Sequence, residues 1–434
     1  MKAIGGIHPN YNKFTSKSKI EVAPSPKLVI LPLSQHIGAP CEPLVNVGDT
    51  VKVGQKIAEA KAFVSAPIHS SISGTVKKIE DMPHPVLGKC KAIIIESDGK
   101  IDWDPTIKQR DNPMSLDKEE LKNMIKEAGI VGMGGATFPT HVKLSPPKEK
   151  PINILILNGA ECEPYLTCDH RLMIEKCTEI IKGALIIKKI LDVQKVVIGV
   201  EDNKENAILV LREKIEEMNA DIKVIALPTS YPQGAEKTLI YTVTGKVVPA
   251  GGLPMDVGAV VQNVSTAKAV YDAVYESKPL IERVVTVTGA VNDRKNLLVK
   301  IGTPVKQIIE FCGGYSGAAA KLISGGPMMG IAQCTEDIPV LKGSSGILVL
   351  AKQPEAEEFD CIRCGKCVEA CPMQLMPTTI AQYAEKDMIE KADEYNAADC
   401  IECGCCSYVC PSKIPLVQKI KIAKNQILAD RKKK

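Results

Sequence analysis

Four cysteines between Cys361 and Cys371 follow the spacing C-x2-C-x2-C-x3-C, and a proline comes directly after the fourth. The same pattern begins again at Cys400 and also ends in a proline. Two-residue gaps in a tight turn point successive thiolates towards one centre, and the repeated run is the sequence form of a bacterial two-cluster ferredoxin. The C-terminal part of the chain is therefore predicted to fold around two [4Fe–4S] clusters.

The repeat also predicts which cysteines share a cluster. In two-cluster ferredoxins three cysteines of each run bind one cluster, and the fourth binds the other. Cys405 is an additional cysteine in the second run and is expected not to be a ligand. Zinc is the alternative metal, but its sites usually pair two separate C-x2-C units and do not favour a run of four. The expected ligands are Cys361, Cys364, Cys367 and Cys410 for the first cluster, and Cys400, Cys403, Cys406 and Cys371 for the second.

Length and composition narrow the remaining choices. A chain of 434 residues exceeds what one hydrophobic core usually serves, so several domains are expected. Aromatic residues make up only 4% and the net charge is +4, which argues against a nucleic-acid-binding protein. No apolar run reaches the roughly 18 residues of a membrane span, and the N-terminus lacks the apolar core of a signal peptide. We expect a protein of a reducing compartment whose clustered cysteines are metal ligands.

The N-terminal part of the chain, up to about position 110, contains short strand-like segments separated by glycine turns. "PLVNVGDTVKVGQKIAEA" and "SAPIHSSISGTVKKIE" resemble the two halves of the barrel–sandwich hybrid of lipoyl and biotinyl carrier domains. Those domains present a modified lysine between the halves, whereas Lys61 lacks the flanking acidic or methionine residues of such a site. A structural role is expected for this domain.

Strand-like and helix-like segments then alternate from about residue 117 to 245. A helix is expected to begin at Ser115 or Asp117, and "INILILNGA", "KVVIGV" and "DIKVIALP" are typical of buried strands. Further helices are expected over residues 173–191 and 204–218. Alternation of this kind predicts a parallel sheet covered by helices.

The prediction for the whole chain is a multidomain α/β and α+β protein. A small α+β module is expected from Arg283 to about Gly330, and the acidic segment "KQPEAEEFD" indicates a linker. The basic C-terminus is either a solvated helix end or a contact for acidic lipid headgroups or a partner subunit. The expected domains are a barrel–sandwich hybrid at 1–110, an α/β domain at 111–280, an α+β module at 281–335, a linker at 336–358 and a two-cluster ferredoxin-like helical domain with a basic tail at 359–434.

The glycine-rich segment "GMGGATFP", from Gly132 to Pro139, suggests a dinucleotide-binding motif. It fails the test for a Rossmann loop, because a helix precedes it and Thr137 occupies the third glycine position. It resembles instead the glycine-rich loop of the flavin- and NADH-binding subunit of respiratory complex I, G-R-G-G-A-G-F-P-T-G-x-K. "NGAECEPYLTCDHR", "YPQGAEKTL" and "QNVST" resemble further motifs of that subunit in the same order.

The resemblance implies a non-covalent FMN, with NAD(H) as the substrate. Flavin takes a two-electron hydride and releases electrons singly, which clusters cannot do. Phe138, Glu163 and Glu236 would face the nicotinamide nucleotide, and Gly135 and Tyr231 belong to the same cofactor-binding set. The residues implied for the flavin are Gly132, Gly134, Lys143, Asn158, Glu161, Gly234, Asn263 and Thr266.

Four positions depart from the complex I pattern. Met133 replaces arginine, Ala160 and Ala235 replace acidic residues, and Gln262 replaces asparagine. These departures keep open a function of a different class, a non-enzymatic electron wire whose flavin site has decayed.

Longer runs, among them "GGIHP", "LSQHIGAP", "KAFVSAPIHSS" and "NGAECEPYLTCDHRLM", resemble the RnfC family of the Rnf electron-transport complex. This implies a peripheral subunit on the cytoplasmic face of a bacterial ion-translocating membrane complex. It would exchange electrons between NAD(H), FMN, two clusters and the other subunits, and through them with ferredoxin. The 111–280 domain would be Rossmann-like and bind FMN and NADH, and the 281–335 module would be a soluble-ligand-binding β-grasp domain. The alternative within the same enzyme class is a soluble NADH-dependent reductase, such as a cobalamin reductase or an amino-acid reductase electron donor.

Overall fold

The structure is a computed structural model in which residues 4–317, 319–352 and 357–433 are described. Residues 353–356 of the expected linker and Lys434 of the basic tail lie outside the described residues.

The N-terminal strands form two antiparallel sheets that share one core. The first eight strands are β1 (Ile20–Val22), β2 (Leu28–Pro32), β3 (Glu42–Pro43), β4 (Thr50–Val51), β5 (Lys56–Glu59), β6 (Ile68–His69), β7 (Gly74–His84) and β8 (Gly88–Ser97). The sheet orders are β2-β8-β7-β4 and β3-β5-β6. Both faces of β2 and β8 are buried: Val29, Leu31 and Ile93 belong to the shared core, and Ile30 and Ile94 pack in a small cluster on the opposite face. The expected barrel–sandwich hybrid is confirmed, and Lys61 forms an ion pair with Glu42.

The central part alternates strands and helices, as the sequence predicts. Its elements are α1 (Lys118–Glu127), α2 (Thr140–Lys143), β9 (Ile154–Gly159), α3 (Cys168–Glu175), α4 (Cys177–Leu191), β10 (Lys195–Glu201), α5 (Glu205–Glu217), β11 (Lys223–Leu227), α6 (Glu236–Thr244), β12 (Ala259–Asn263) and α7 (Val264–Tyr275). The strands form a parallel sheet of order β11-β10-β9-β12. Helices cover this sheet, which explains why Leu155, Ile156 and Leu157 of β9 are all fully buried.

Helix α1 begins after Asp117, one of the two expected positions; its carboxylate accepts the amide of Glu120 while the Glu120 side chain accepts the amide of Asp117. Two other details of this domain differ from the sequence-based expectation. The expected single helix over 173–191 is two helices, interrupted at Lys176 where the backbone leaves the helical region (φ −133°, ψ 32°). Strand β12 was not predicted, and it forms one edge of the sheet.

The third group of elements is a six-stranded mixed sheet. Its further elements are β13 (Glu282–Gly289), β14 (Lys295–Lys300), α8 (Val305–Phe311), β15 (Ala319–Ser324), β16 (Ile331–Gln333) and β17 (Gly346–Ala351). The order is β1-β14-β13-β17-β15-β16, so the N-terminal strand β1 adds an edge to this distant module. Strand β17 pairs with both β13 and β15. The structure therefore differs from the expected linker at 336–358, because the apolar run around Leu348 completes the sheet.

The C-terminal part is helical, and the backbone conformation of its first cysteine run recurs in the second. Its helices are α9 (Lys366–Glu369), α10 (Pro377–Glu385), α11 (Ile389–Glu394), α12 (Cys405–Tyr408) and α13 (Leu416–Lys433). Arg363 and Glu402, at equivalent positions of the two cysteine runs, have φ of 54° and 58°, and Gly365 and Gly404 have φ of 76° and 78°. The sequence repeat is therefore a structural repeat as well.

The basic tail forms the end of helix α13. This helix buries Ile420, Ala423 and Ile427 against the rest of the cysteine-rich domain, and the Arg431 guanidinium lies 2.8 Å from the Asp393 carboxylate. In the described part of the chain, no helix combines the length and the apolar character that a membrane span needs.

Candidate functional site

The glycine-rich loop connects α1 to α2 and is closed at its neck by backbone hydrogen bonds. The amide of Gly132 donates to the carbonyl of Phe138 at 2.8 Å, and the amide of Thr140 donates to that of Ile130 at 3.0 Å. At the tip, residues 134–136 are exposed, and within the described residues their amides donate to no protein acceptor. Consecutive free amides of this kind can bind an anion such as a phosphate.

The loop lies at the carboxyl edge of the parallel sheet. Asn158 is the penultimate residue of β9, Asn263 is the last residue of β12, and the two residues are paired directly across the sheet. The chain runs from β9 outwards through β10 to β11 and later returns to the opposite side of β9 with β12. The strand order therefore reverses between β9 and β12. Ligands of open parallel sheets bind in the crevice at such a reversal.

Three contacts connect the elements at this edge of the sheet. The amide of Met133, in the glycine-rich loop, donates to the Thr266 hydroxyl of helix α7 at 2.9 Å. A side chain at Gly134 would reach the Asn263 side chain at 3.4 Å, so the loop crosses closely above the end of β12. The Asn158 amide group, at the end of β9, donates to the Gly234 carbonyl at 2.8 Å.

Lys143 brings a positive charge to the same edge of the sheet. Its ammonium group donates to the Glu236 carboxylate at 2.6 Å and to the Val261 carbonyl at 2.9 Å. Both charged side chains are about one third exposed, so a bound molecule can reach them. Phe138 is half-buried at the neck of the loop. Lys143, Glu236, Asn158, Gly234, Asn263, Thr266, Gly132, Gly134 and Gly135 therefore form one connected region.

Asp169 supports this region from within, and sequence reasoning did not identify it. Its carboxylate accepts hydrogen bonds from the Asn263 amide group at 2.7 Å and the Ser265 hydroxyl at 2.5 Å. Burial raises the pKa of Asp169 to about 6, and the nearby Glu161 carboxylate adds to the effect. A single aspartate in the motif "TCDHR" gives no sequence signal for a contact with a residue so far along the chain.

Glu161 stabilises the start of helix α3. Its carboxylate accepts the amides of Asp169 at 2.7 Å and His170 at 3.2 Å, which are free donors of the first helical turn. The ammonium group of Lys13 donates to the carbonyls of Glu161, Glu163 and Leu166 at 2.7, 2.9 and 2.7 Å. Lys13 was not expected to be part of the site, because nothing in its sequence neighbourhood indicates contact with such distant residues.

The structure gives Glu163 and Tyr231 partners outside the glycine-rich loop. The Glu163 carboxylate accepts the amides of Met328 at 3.1 Å and Met329 at 2.7 Å, in the β-grasp module. Burial raises the pKa of Glu163 to about 7, against the effect of these two hydrogen bonds. The buried Tyr231 hydroxyl donates to the Cys403 carbonyl at 2.8 Å. Glu163 thus joins the α/β domain to the β-grasp module, and Tyr231 joins it to the cysteine-rich domain.

Four of the eight expected cluster ligands lie close to one another. We call Cys371, Cys400, Cys403 and Cys406 the inner group; they lie close to one another, and their mutual charge raises the pKa of Cys371, Cys400 and Cys406 in addition to the larger effect of burial. We call Cys361, Cys364, Cys367 and Cys410 the outer group, in which Cys364 is exposed and Cys361 half-buried. The proximity within the inner group agrees with a shared ligand set.

Backbone and thiol donors around these cysteines suit thiolate ligands. The sulfur of Cys361 accepts the amide of Arg363 at 3.4 Å, and the sulfur of Cys400 accepts the amide of Glu402 at 3.4 Å. A hydrogen bond from Cys405 lowers the pKa of Cys403, and the same bond raises the pKa of Cys405. Hydrogen bonds to ligand sulfurs are a normal feature of iron–sulfur sites.

The arrangement does not favour the zinc alternative. Across residues 4–317, 319–352 and 357–433, no three His, Cys, Asp or Glu side chains converge closely enough to hold one metal ion. The thiolates of a cubane bind different iron atoms, and they stand further apart than the ligands of a single tetrahedral zinc. The residues present therefore fit iron–sulfur clusters, and the free amides, Lys143 and the sheet edge fit a phosphate-bearing flavin.

Fold and site together define an electron-transfer protein that depends on flavin and iron–sulfur clusters. Four family models match in chain order: the RnfC barrel sandwich hybrid domain at residues 1–100, the Nuo51 FMN-binding domain at 125–272, the SLBB domain at 284–332 and the 4Fe-4S dicluster domain at 360–414. The expected fold class is confirmed, and so are FMN and two [4Fe–4S] clusters as cofactors.

Two relatives match over nearly the full length. The C subunit of the proton-translocating ferredoxin:NAD(+) oxidoreductase complex of Clostridium ljungdahlii is 53% identical over 427 residues, covering 97% of this chain and 93% of that protein. The C subunit of the Na(+)-translocating ferredoxin:NAD(+) oxidoreductase complex of Acetobacterium woodii is 47% identical over 433 residues, covering 99% and 98%. The chain belongs to this family, the C subunits of Rnf-type ion-translocating oxidoreductase complexes.

A solved structure shares the fold at low sequence identity. The crystal structure of an NAD+-reducing [NiFe]-hydrogenase in the air-oxidised state matches with a TM-score of 0.50 and 16% identity, over 71% of this chain and 63% of that one. Since the relatives are subunits of translocating complexes and the matching central model is an FMN-binding domain, the soluble reductase and the flavin-free wire are the weaker alternatives.

Proposed function

We propose that the chain is the peripheral NADH-oxidising, or NAD-reducing, electron-transfer subunit of a bacterial ion-translocating ferredoxin:NAD oxidoreductase complex. The observation that carries this proposal is the contact between the two redox regions on one polypeptide, where the Tyr231 hydroxyl meets the Cys403 carbonyl at 2.8 Å. The full-length similarity to the C subunits from Clostridium and Acetobacterium supports it.

The flavin-binding residues surround the edge between β9 and β12. Gly132, Gly134 and Gly135 keep the loop open to a ligand, and the free amides of residues 134–136 bind the phosphate. Lys143 exchanges part of its contact with Glu236 for a polar atom of the cofactor. Flavin supplies the exchange between a two-electron hydride and single electrons.

Further side chains orient the bound flavin. Asn158 and Asn263 present amide groups at the ends of their strands, and Gly234 and Thr266 lie beside them. Glu161 acts through helix α3, whose first amides it caps.

The nicotinamide nucleotide is proposed to approach from the side of Phe138 and Glu236. Phe138 offers an aromatic edge beside the loop, and the partly exposed Glu236 carboxylate can accept from a ribose hydroxyl or a carboxamide. The resemblance also implies Glu163 and Tyr231 as cofactor-binding residues. We propose that they support this surface indirectly, Glu163 through its contact with Met328 and Tyr231 through its contact with Cys403.

The two cysteine groups are proposed to differ in their neighbours. The inner group binds the cluster next to the flavin domain, since Cys403 contacts Tyr231. The outer group binds the cluster next to other subunits, because Cys364 and its neighbours Ile362 and Arg363 are exposed. Exchange with the other subunits of the complex, and through them with ferredoxin, takes place at this exposed end, on the cytoplasmic face of the cell membrane.

A complementation experiment tests the function. Membranes from a strain that lacks this chain should lose ferredoxin-dependent NAD reduction, and the wild-type chain should restore it. A Cys403→Ser chain should assemble but not restore it. Ferredoxin-dependent NAD reduction that continues without the chain would contradict the proposal.

A further inference from the structure

The N-terminal segment Gly5–Ile7, part of the motif "GGIHP", lies between the cysteine-rich domain and the flavin-binding domain. On one side the amide of Gly6 donates to the Ala370 carbonyl at 2.9 Å. On the other side the amide of Ile7 donates to the Tyr231 carbonyl at 2.7 Å, and the amide of Tyr231 donates back to the Ile7 carbonyl at 2.9 Å. The segment therefore bridges the two domains through main-chain hydrogen bonds.

Tyr231 extends this bridge to the second cysteine run. Its side chain is 1% exposed, and its hydroxyl donates to the Cys403 carbonyl at 2.8 Å. The Cys405 thiol lies 3.7 Å from the Tyr231 carbonyl and can donate to it. Ile7, Cys162, Tyr231, Ala370, Cys403 and Cys405 form one small buried cluster.

The two glycines fit only because they lack side chains. Gly5 has φ of 62°, and a Cβ there would lie 2.7 Å from the carbonyl oxygen of Cys371. Gly6 has φ of 87°, and a Cβ there would lie 2.8 Å from the carbonyl oxygen of Tyr231. Main-chain atoms cannot move aside as the end of a flexible side chain can, so any side chain here separates the segment from its partners.

The inner group takes its members from both cysteine runs, and these contacts involve both runs. Gly5 and Gly6 contact the main chain at Ala370 and Cys371, the last ligand position of the first run. Tyr231 contacts Cys403 of the second run. We propose that Gly5–Ile7, together with Tyr231, is a positioning element that fixes the separation between the flavin-binding domain and the inner cluster.

The inference rests on the proposed electron-transfer function, and it assigns the segment no contact with a cofactor. Substitutions in this segment are therefore expected to leave the flavin content, the iron content and the rate of hydride transfer unchanged. Because electron transfer weakens steeply with distance, the step that suffers is the one between flavin and clusters.

The test uses Gly5→Ala and Gly6→Ala in the full chain, purified without oxygen. Gly99→Ala is the matched control, since Gly99 also has positive φ (75°) but a Cβ there would meet nothing within 4 Å. Flavin and iron contents, flavin reduction by NADH and subsequent cluster reduction are followed in each protein. We expect cluster reduction to slow several-fold in the two alanine variants, with the other quantities at the values of the control.

A readout independent of activity is amide hydrogen exchange at Ile7 and Tyr231. Both amides are protected by the hydrogen bonds of the bridge, so they should exchange faster in Gly6→Ala and at the wild-type rate in Gly99→Ala. Tyr231→Phe provides a milder variant should an alanine variant fail to fold, because it removes only the oxygen that meets Cys403. It should also slow cluster reduction relative to flavin reduction by NADH, with flavin and iron contents measured in the same samples.

Wild-type cluster reduction in Gly6→Ala and Tyr231→Phe would overturn the inference, and so would equal slowing in Gly99→Ala. These results differ from a failure of the proposed function, in which NADH would not reduce the flavin of the wild-type protein at all.

Discussion

The carboxylate of Glu163 should make the contact between the flavin-binding domain and the β-grasp module depend on pH. It accepts the amides of Met328 and Met329, and burial raises its pKa from 4.5 to about 7. The closed contact therefore holds the proton of Glu163 more tightly than the opened state does, so protonation stabilises the contact. This stabilisation is fully present below pH 4.5 and is lost as pH rises through 7. The loss amounts to about 3 kcal/mol, or roughly two powers of ten in the constant for opening.

Amide hydrogen exchange at Met328 and Met329, corrected for the intrinsic effect of pH, measures this opening directly. In the wild-type protein the free energy of opening should fall by about 3 kcal/mol between pH 4.5 and 7. Glu163→Gln should remove most of this dependence, because an amide does not titrate but can still accept a hydrogen bond. Burial also raises the pKa of Asp169, to about 6, and its contribution remains in both proteins.

Glu149→Gln is the matched control, because Glu149 is exposed. It should show the wild-type dependence on pH. The reasoning is refuted if the opening free energy of the wild-type protein is constant across this range, or if Glu163→Gln keeps the full dependence.

Three further experiments test the site. Lys143→Ala should lower flavin retention and leave the iron content intact, measured by absorbance and iron analysis; unchanged retention would contradict its role. Lys13→Met should lower the free energy of opening around residues 161–166 by about 2–4 kcal/mol in hydrogen exchange, since three carbonyls lose a charged donor; the exposed Lys17→Met should have little effect, and an equal effect would argue against the contacts. Cys405→Ser should keep both clusters while Cys403→Ser loses one by iron analysis, and the reverse outcome would exchange their assignments.

The sequence alone was sufficient to predict the structural features whose determinants lie close together in the chain. The repeated cysteine run predicts a structural repeat, and the backbone angles at Arg363 and Glu402 show one. The apolar runs of β9, β10 and β11 predict a buried parallel sheet, because strands covered on both faces have few polar residues.

Features that depend on distant parts of the chain could not be predicted in this way. Strand β1 pairs with β14, which lies far along the chain, and so short a strand carries no signal for such pairing. Strand β17 is locally an ordinary apolar run, but the acidic segment after it suggested a linker. Lys13 and Asp169 are similarly invisible, since single charged residues are usually solvated and their partners are remote in sequence.

The proposed function requires one polypeptide to hold a flavin site in electronic contact with two iron–sulfur clusters. The decisive experiment is titration of the anaerobically purified chain with NADH, followed by Mössbauer spectroscopy and flavin absorbance. We expect one flavin, about eight iron atoms in two [4Fe–4S] clusters, and reduction of both flavin and clusters by NADH. About four iron atoms, or clusters that stay oxidised while the flavin is reduced, would contradict the proposed function.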